Sequence, residues 1–83
     1  MAYKIAFKGS VLKDLRNIDK KGAEWILSHI EKDLVEKAAT YPVLTGKFAG
    51  LRKYRTGDYR VIFTIMDDTV LILRIRHRRE VYK

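Results

Sequence analysis

Seven of the eight arginines in this 83-residue chain lie in its last 33 residues, at positions 52, 55, 60, 74, 76, 78 and 79. Lys53, Tyr54, Tyr59, His77 and Tyr82 are interleaved with them. No pair of carboxylates stands among these cations for acid–base work, so any catalysis must run on Lys, Arg, Tyr and His. The chain shows no phosphate-binding glycine loop, nucleophile elbow or Ser/His/Asp arrangement. His29 and His77 lack cysteine or carboxylate neighbours at ligand spacing, so neither a metal nor a cofactor is expected. What these residue types can do together is cleave RNA. The 2′-hydroxyl attacks the adjacent phosphorus, arginine stabilises the extra charge on the phosphorane, and a lysine or histidine with a pKa moved toward neutrality transfers the protons.

The charge balance agrees. Eighteen Lys+Arg against ten Asp+Glu give +8, which attracts a polyanionic partner, nucleic acid first and an acidic protein second. Lysines dominate the first part of the chain and arginines the second. The planar guanidinium fork suits phosphate and stacks on bases, so the functional surface is assigned to the second part. The plainer reading of the same residues is edge-strand protection by basic side chains. At 47% hydrophobic and 34% charged the chain can bury a core, and its length allows one domain, residues 1–83. Absent cysteines, a first segment without a signal peptide's apolar run, and no stretch long enough to span a bilayer point to a cytoplasmic domain with no membrane partner.

The elements that must position the arginines are legible in outline. Tyr3, Ile5 and Phe7 alternate with Lys4, Ala6 and Lys8, a first strand with one buried face. Ser10 is placed to cap a helix carrying Val11, Leu12, Leu15 and Ile18. Lys20-Lys21-Gly22 reads as a turn before a second helix with Ala23, Ile26, Leu27, Ile30, Leu34 and Ala38 on one stripe, ending near Thr40 ahead of Pro42. Leu51–Arg55, Tyr59–Met66 and Val70–Ile75 read as strands joined by tight turns at Thr56-Gly57-Asp58 and Asp67-Asp68. The last strand, nearly all apolar, is expected to be central and covered on both faces. The fold class is α+β, in the order β-α-α-β-β-β: an N-terminal strand, a helical hairpin, and a three-stranded antiparallel meander in one sheet.

Alternation then puts Lys53 and Arg55 on one face, with Arg60 beside them across the turn, and Arg74 with Arg76 on one face of the last strand. Gly50-Leu-Arg-Lys-Tyr-Arg-Thr-Gly-Asp-Tyr-Arg-Val-Ile-Phe63 and Ile75-Arg-His-Arg-Arg-Glu-Val-Tyr82 resemble the RelE/ParE superfamily of toxins from toxin–antitoxin pairs. The resemblance covers essentially the whole chain, and the Val81-Tyr82 ending resembles the RelE branch. It implies a ribosome-dependent endonuclease (an mRNA interferase) that cuts messenger RNA without metal, leaves a 2′,3′-cyclic phosphate and so inhibits translation. It also implies a cognate, RelB-like antitoxin. The ParE-like alternative is a gyrase inhibitor without ribonuclease activity, or a catalytically weak nucleic-acid-binding toxin or corepressor.

Residue by residue, the resemblance matches Arg60 to the arginine that holds the transition-state phosphate and Lys53 to one lysine of an acid–base pair. Tyr82 matches the tyrosine that stacks on a base and assists the 2′-hydroxyl. The second catalytic arginine is Arg76 when counted without gaps from Tyr82, or Arg78 when His77-Arg78 is aligned through a gap; Arg76 is the choice taken here. The second lysine of the pair falls on Leu51, with Arg52 beside it should the strand shift. Arg52, Arg55, Arg74, His77, Arg78 and Arg79 are assigned to RNA binding around the site. An apolar groove next to the helical hairpin or a sheet edge, adjoining the arginines, is expected to take the antitoxin.

Overall fold

The computed structural model describes residues 2–46 and 50–77. A short extended run, Lys4–Phe7, forms β1 and leads directly into helix α1 (Gly9–Arg16) and then α2 (Lys20–Lys37). A single 3-10 turn, Ala38–Thr40, follows, and the chain then builds β2 (Arg52–Thr56), β3 (Tyr59–Met66) and β4 (Thr69–His77). The sheet order is β1-β4-β3-β2, with β1 parallel to β4 and the other pairs antiparallel. This is the expected α+β class and element order, and the parallel pairing follows because β1 returns to the sheet through two helices.

Both hairpins close with two residues whose backbone suits the turn. Gly57 (φ 56°) and Asp67 (φ 56°) take the left-handed region, where glycine has no steric cost and aspartate is tolerated. Along α2 and into the 3-10 turn, Ile26, Ile30, Leu34 and Ala38 repeat every four residues and are fully buried. They pack with Val11 and Ile18 against Tyr54, Val61, Phe63, Val70, Ile72 and Ile75, which form the helix-facing side of the sheet.

Three local expectations are corrected. Ser10 does not cap α1: Lys8 occupies the cap position without a side-chain bond, and Ser10 lies inside the helix, donating from Oγ to the Leu73 carbonyl at 2.9 Å. Lys20-Lys21-Gly22 is the first turn of α2 and not a connector, because Asp19 caps the helix by accepting the Gly22 N–H at 3.0 Å. That carboxylate also offsets two lysines placed at the positive end of the helix dipole. Phe7 is not buried on the strand's inner face but 45% exposed.

Strand β4 is central, as expected, but only one of its faces is fully buried. Val70, Ile72 and Ile75 have no exposure, whereas Leu71 and Leu73 on the other side are half-buried. The strand also carries a bulge. Ile62 pairs with Arg74 and Phe63 with Ile72, so Leu73 is an extra residue opposite their junction. Beside it, β1 pairs only as far as Ile72, and the open edge of β4 beyond is covered by α1. The Lys8 N–H reaches the Ile72 carbonyl at 2.9 Å, and the Ile75 N–H donates to Asp14 at 2.9 Å.

Candidate functional site

The register of the meander aligns cations across three strands. Arg55 on β2 faces Arg60 on β3, and Arg60 faces Arg76 on β4. Neighbouring strands lie about 4.8 Å apart, so the three guanidinium groups spring from one row about 10 Å long. The next row inward brings Lys53, Ile62 and Arg74 together. Because Tyr54, Val61 and Ile75 form the intervening buried row, Lys53, Arg55, Arg60 and Arg76 all belong to the sheet face turned away from the helices. Arg55 is exposed and the other three are half-buried. Like charges directly opposite one another oppose folding. Among the described residues neither Lys53, Arg55 nor Arg60 has an ion-pair partner to relieve it. Neighbouring cations without a carboxylate, as at Arg55 and Arg60, form a surface to which an anion can be drawn.

Other expected members are placed differently. Arg52 lies on the helix-facing side with Tyr54, and its Nη1 donates to the carbonyls of Ala39 at 3.2 Å and Tyr41 at 2.7 Å. It thereby satisfies carbonyls of the 3-10 turn and of the residue after it, and it lies on the opposite side of the sheet from Lys53. Leu51, half-buried, stands just before β2. Arg74 leaves the open face to grip Asp14, with Nε and Nη2 each 3.0 Å from its carboxylate. His77 pairs with Tyr59 on the helix-facing side, their rings 5.1 Å apart edge to face. Arg78, Arg79 and Tyr82 lie outside the described residues.

Tyr41, Tyr54 and Tyr59 are all pushed away from acid–base work near neutrality. Burial, followed by the Asp33 carboxylate, raises Tyr41 above its usual 10.0. Burial raises Tyr54 further, reinforced by the hydrogen bond its hydroxyl donates to Asp33. Tyr59 is raised by burial and by the nearby Asp19 and Asp58. Lys53 is therefore the proton-transfer candidate on the open face.

Sequence reasoning missed two features. Trp25 stacks on His29 at 3.8 Å and leans on Tyr59 at 5.7 Å, and it also covers Gly57, locking the β2–β3 turn to α2. Asp14 is 5% exposed on the apolar stripe of α1, and a carboxylate between Val11, Leu15 and Ile18 was the readable signal. An apolar groove of about 440 Å³ runs between β1 and α2, lined by Tyr3, Ile5, Phe7, Leu27, Ile30 and Val35 with Glu31. It lies at a sheet edge beside a hairpin helix, as expected. It does not adjoin the arginines, which occupy the other face and the opposite end of β4.

Residues 5–82 match the family described as the ParE toxin of the type II toxin–antitoxin system parDE. Toxin RelG of Mycobacterium tuberculosis is 29% identical over 90 residues, spanning 100% of this chain and 99% of that protein. The RelBE2 toxin–antitoxin complex of the same organism contains a chain that superposes with a TM-score of 0.88 at 27% identity, over 94% of this chain and 100% of the other. The chromosomal ParDE system of Pseudomonas aeruginosa shares the fold, with a TM-score of 0.72 at 17% identity over 92% of this chain and 96% of that one. The chain belongs to the ParE toxin family, within the RelE/ParE superfamily, and is a toxin of a type II toxin–antitoxin system.

Proposed function

We propose that this toxin is a metal-independent endoribonuclease that cleaves messenger RNA on the ribosome. The observation that carries the reading is the Arg55–Arg60–Arg76 row. In the proposed reaction the 2′-oxygen forms a bond to the adjacent phosphorus as its proton passes to a base. The phosphorus–O5′ bond then breaks, and O5′ receives a proton. The products are a 2′,3′-cyclic phosphate and a 5′-hydroxyl, with no water consumed. Arg60 and Arg76 hold the non-bridging oxygens as negative charge builds, which is the task worth most in a site of this kind. Lys53, in the adjoining row, transfers a proton, and Arg55 draws in the flanking backbone. Tyr82 supplies the stacking surface for a base. With one lysine in place of an acid–base pair, orientation by the ribosome provides the remaining part of the rate.

A RelB-like antitoxin completes the proposal. The M. tuberculosis relative was solved as a toxin–antitoxin complex, and an acidic segment of such a partner complements the +8 charge here. One observation favours a second reading, gyrase inhibition in the manner of the ParE family: Leu51 stands where the second lysine is needed, and Arg52 is turned away. The purified toxin, added to ribosomes programmed with a defined message and separately to DNA gyrase, tests both. Cut message with unchanged supercoiling is expected. Intact message with supercoiling lost rejects the ribonuclease.

A further inference from the structure

Burial switches sides midway along β4. Val70 and Ile72 are buried on the helix-facing side, so in a regular strand Arg74 and Arg76 follow them there and Ile75 turns to the open face. The extra residue Leu73 reverses that parity: Ile75 joins the core and Arg76 faces Arg60. Without it, continuing the pairing of Phe63 with Ile72 sets Arg60 against Ile75 and Tyr59 against Arg76. The segment Val70-Leu-Ile-Leu-Arg-Ile75 contains no glycine to favour a bulge. What brackets Leu73 is α1. Ser10 Oγ donates to the Leu73 carbonyl at 2.9 Å, and Asp14 Oδ2 accepts the Ile75 N–H at 2.9 Å. The Asp14 carboxylate also receives Nε and Nη2 of Arg74 at 3.0 Å each, so all three of these carboxylate hydrogen bonds go to residues just past the bulge.

We propose that Asp14, assisted by Ser10, is a positioning residue that fixes the Leu73 bulge and thereby sets Arg76 on the same face as Arg60. Asp14 acts through strand parity and never touches the substrate. An ordinary ion-pair role makes a different prediction, because Asp14→Asn abolishes the charge pair with Arg74 yet keeps an oxygen for the Ile75 N–H. Positioning requires the second contact more than the first.

The test compares the labelled full chain as wild type, Asp14→Asn and Asp14→Ala. The readouts are the cross-strand NOE between Arg60 and Arg76 and the salt dependence of binding to a short single-stranded RNA. The RNA readout rests on the function proposed above; the NOE does not. Wild type and Asp14→Asn are expected to show the NOE and one common salt slope. Asp14→Ala is expected to keep the Val61, Phe63 and Ile72 core resonances, lose the NOE, and lower the slope by about 0.7, the value of one phosphate contact. An NOE retained in Asp14→Ala, or lost equally in Asp14→Asn, overturns the proposal. Should Asp14→Ala not fold, Asp14→Leu, which fills the space, replaces it. Failure of both while Asp14→Asn folds also overturns the proposal, since Asp14 then serves global stability. A wild type with the NOE but no salt-dependent RNA binding rejects the ribonuclease reading and leaves the positioning role to the NOE.

Discussion

Arg60→Ala separates function from folding, because the two should move in opposite directions. Arg60 stands between Arg55 and Arg76 in one cross-strand row. At about 4.8 Å between strands, two like charges in a water-like dielectric repel by about 0.9 kcal/mol. Two neighbours set an upper limit near 2 kcal/mol, and splayed side chains with a Debye length of about 8 Å in physiological salt reduce this to about 1 kcal/mol. Loss of the half-buried aliphatic stem works against that gain by a similar or smaller amount. Arg60→Ala should therefore unfold within about 1 kcal/mol of wild type, on the more stable side at low salt, with the gain erased at high salt. Cleavage should fall 10²–10³-fold, about 2.7–4 kcal/mol, the cost of deleting one donor aimed at developing charge. Urea unfolding at low and high salt, beside single-turnover cleavage on programmed ribosomes, reads both. A destabilisation above about 1.5 kcal/mol at both salts would make Arg60 a structural residue, and cleavage unchanged within threefold would remove it from the reaction.

Other outcomes follow from the same geometry. Tyr54 is raised above 10.0 by burial and by Asp33, so its neutral hydroxyl favours the folded state. Its contribution is complete below pH 10 and is lost as pH climbs from there toward the folded value; urea midpoints should fall above pH 10 in wild type and less steeply in Tyr54→Phe. A Cβ on Gly22 would sit 2.6 Å from Asp19 Oδ1 and 2.9 Å from Ile18 Cγ2, and would press on the Tyr59 hydroxyl. Gly22→Ala should thus cost about 1–3 kcal/mol by overpacking, read as a lowered Tm, despite alanine's better helix propensity. Binding to single-stranded RNA should weaken with salt, and alanine at Arg55, Arg60 or Arg76 should each lower the slope by about 0.7; equal slopes for all three variants and wild type would refute phosphate contact.

The sheet was largely legible because its signals are local. Alternation marks Tyr59–Met66 to the residue and Asp67-Asp68 is the expected two-residue turn, whereas the turn read at Thr56-Gly57-Asp58 is one residue shorter: Thr56 closes β2 against Tyr59, which sets Arg55 opposite Arg60. The helix stripe through Ile26, Ile30 and Leu34 was equally plain. What escaped depends on contacts distant in sequence. Nothing near Leu73 marks a bulge, since the groups that hold it come from Ser10 and Asp14, some 60 residues earlier. For the same reason the run Val70–Ile75 read as buried on both faces, when one parity change explains its composition. Arg52 and Arg74 read as site cations because charge counting does not reveal the carbonyls and the carboxylate that hold them. Gly22 read as a turn because glycine usually marks one; here it admits the Tyr59 hydroxyl.

Whether the arginine row grips a ribose-phosphate chain is tested most directly by titrating the labelled toxin with a short RNA carrying a 2′-deoxy sugar at its central position, which cannot be cut there. Side-chain shifts are expected at Lys53, Arg55, Arg60 and Arg76, with Arg52, Trp25 and the β1–α2 groove unmoved. Shifts confined to the helix-facing side, or none on the open face, would contradict the account.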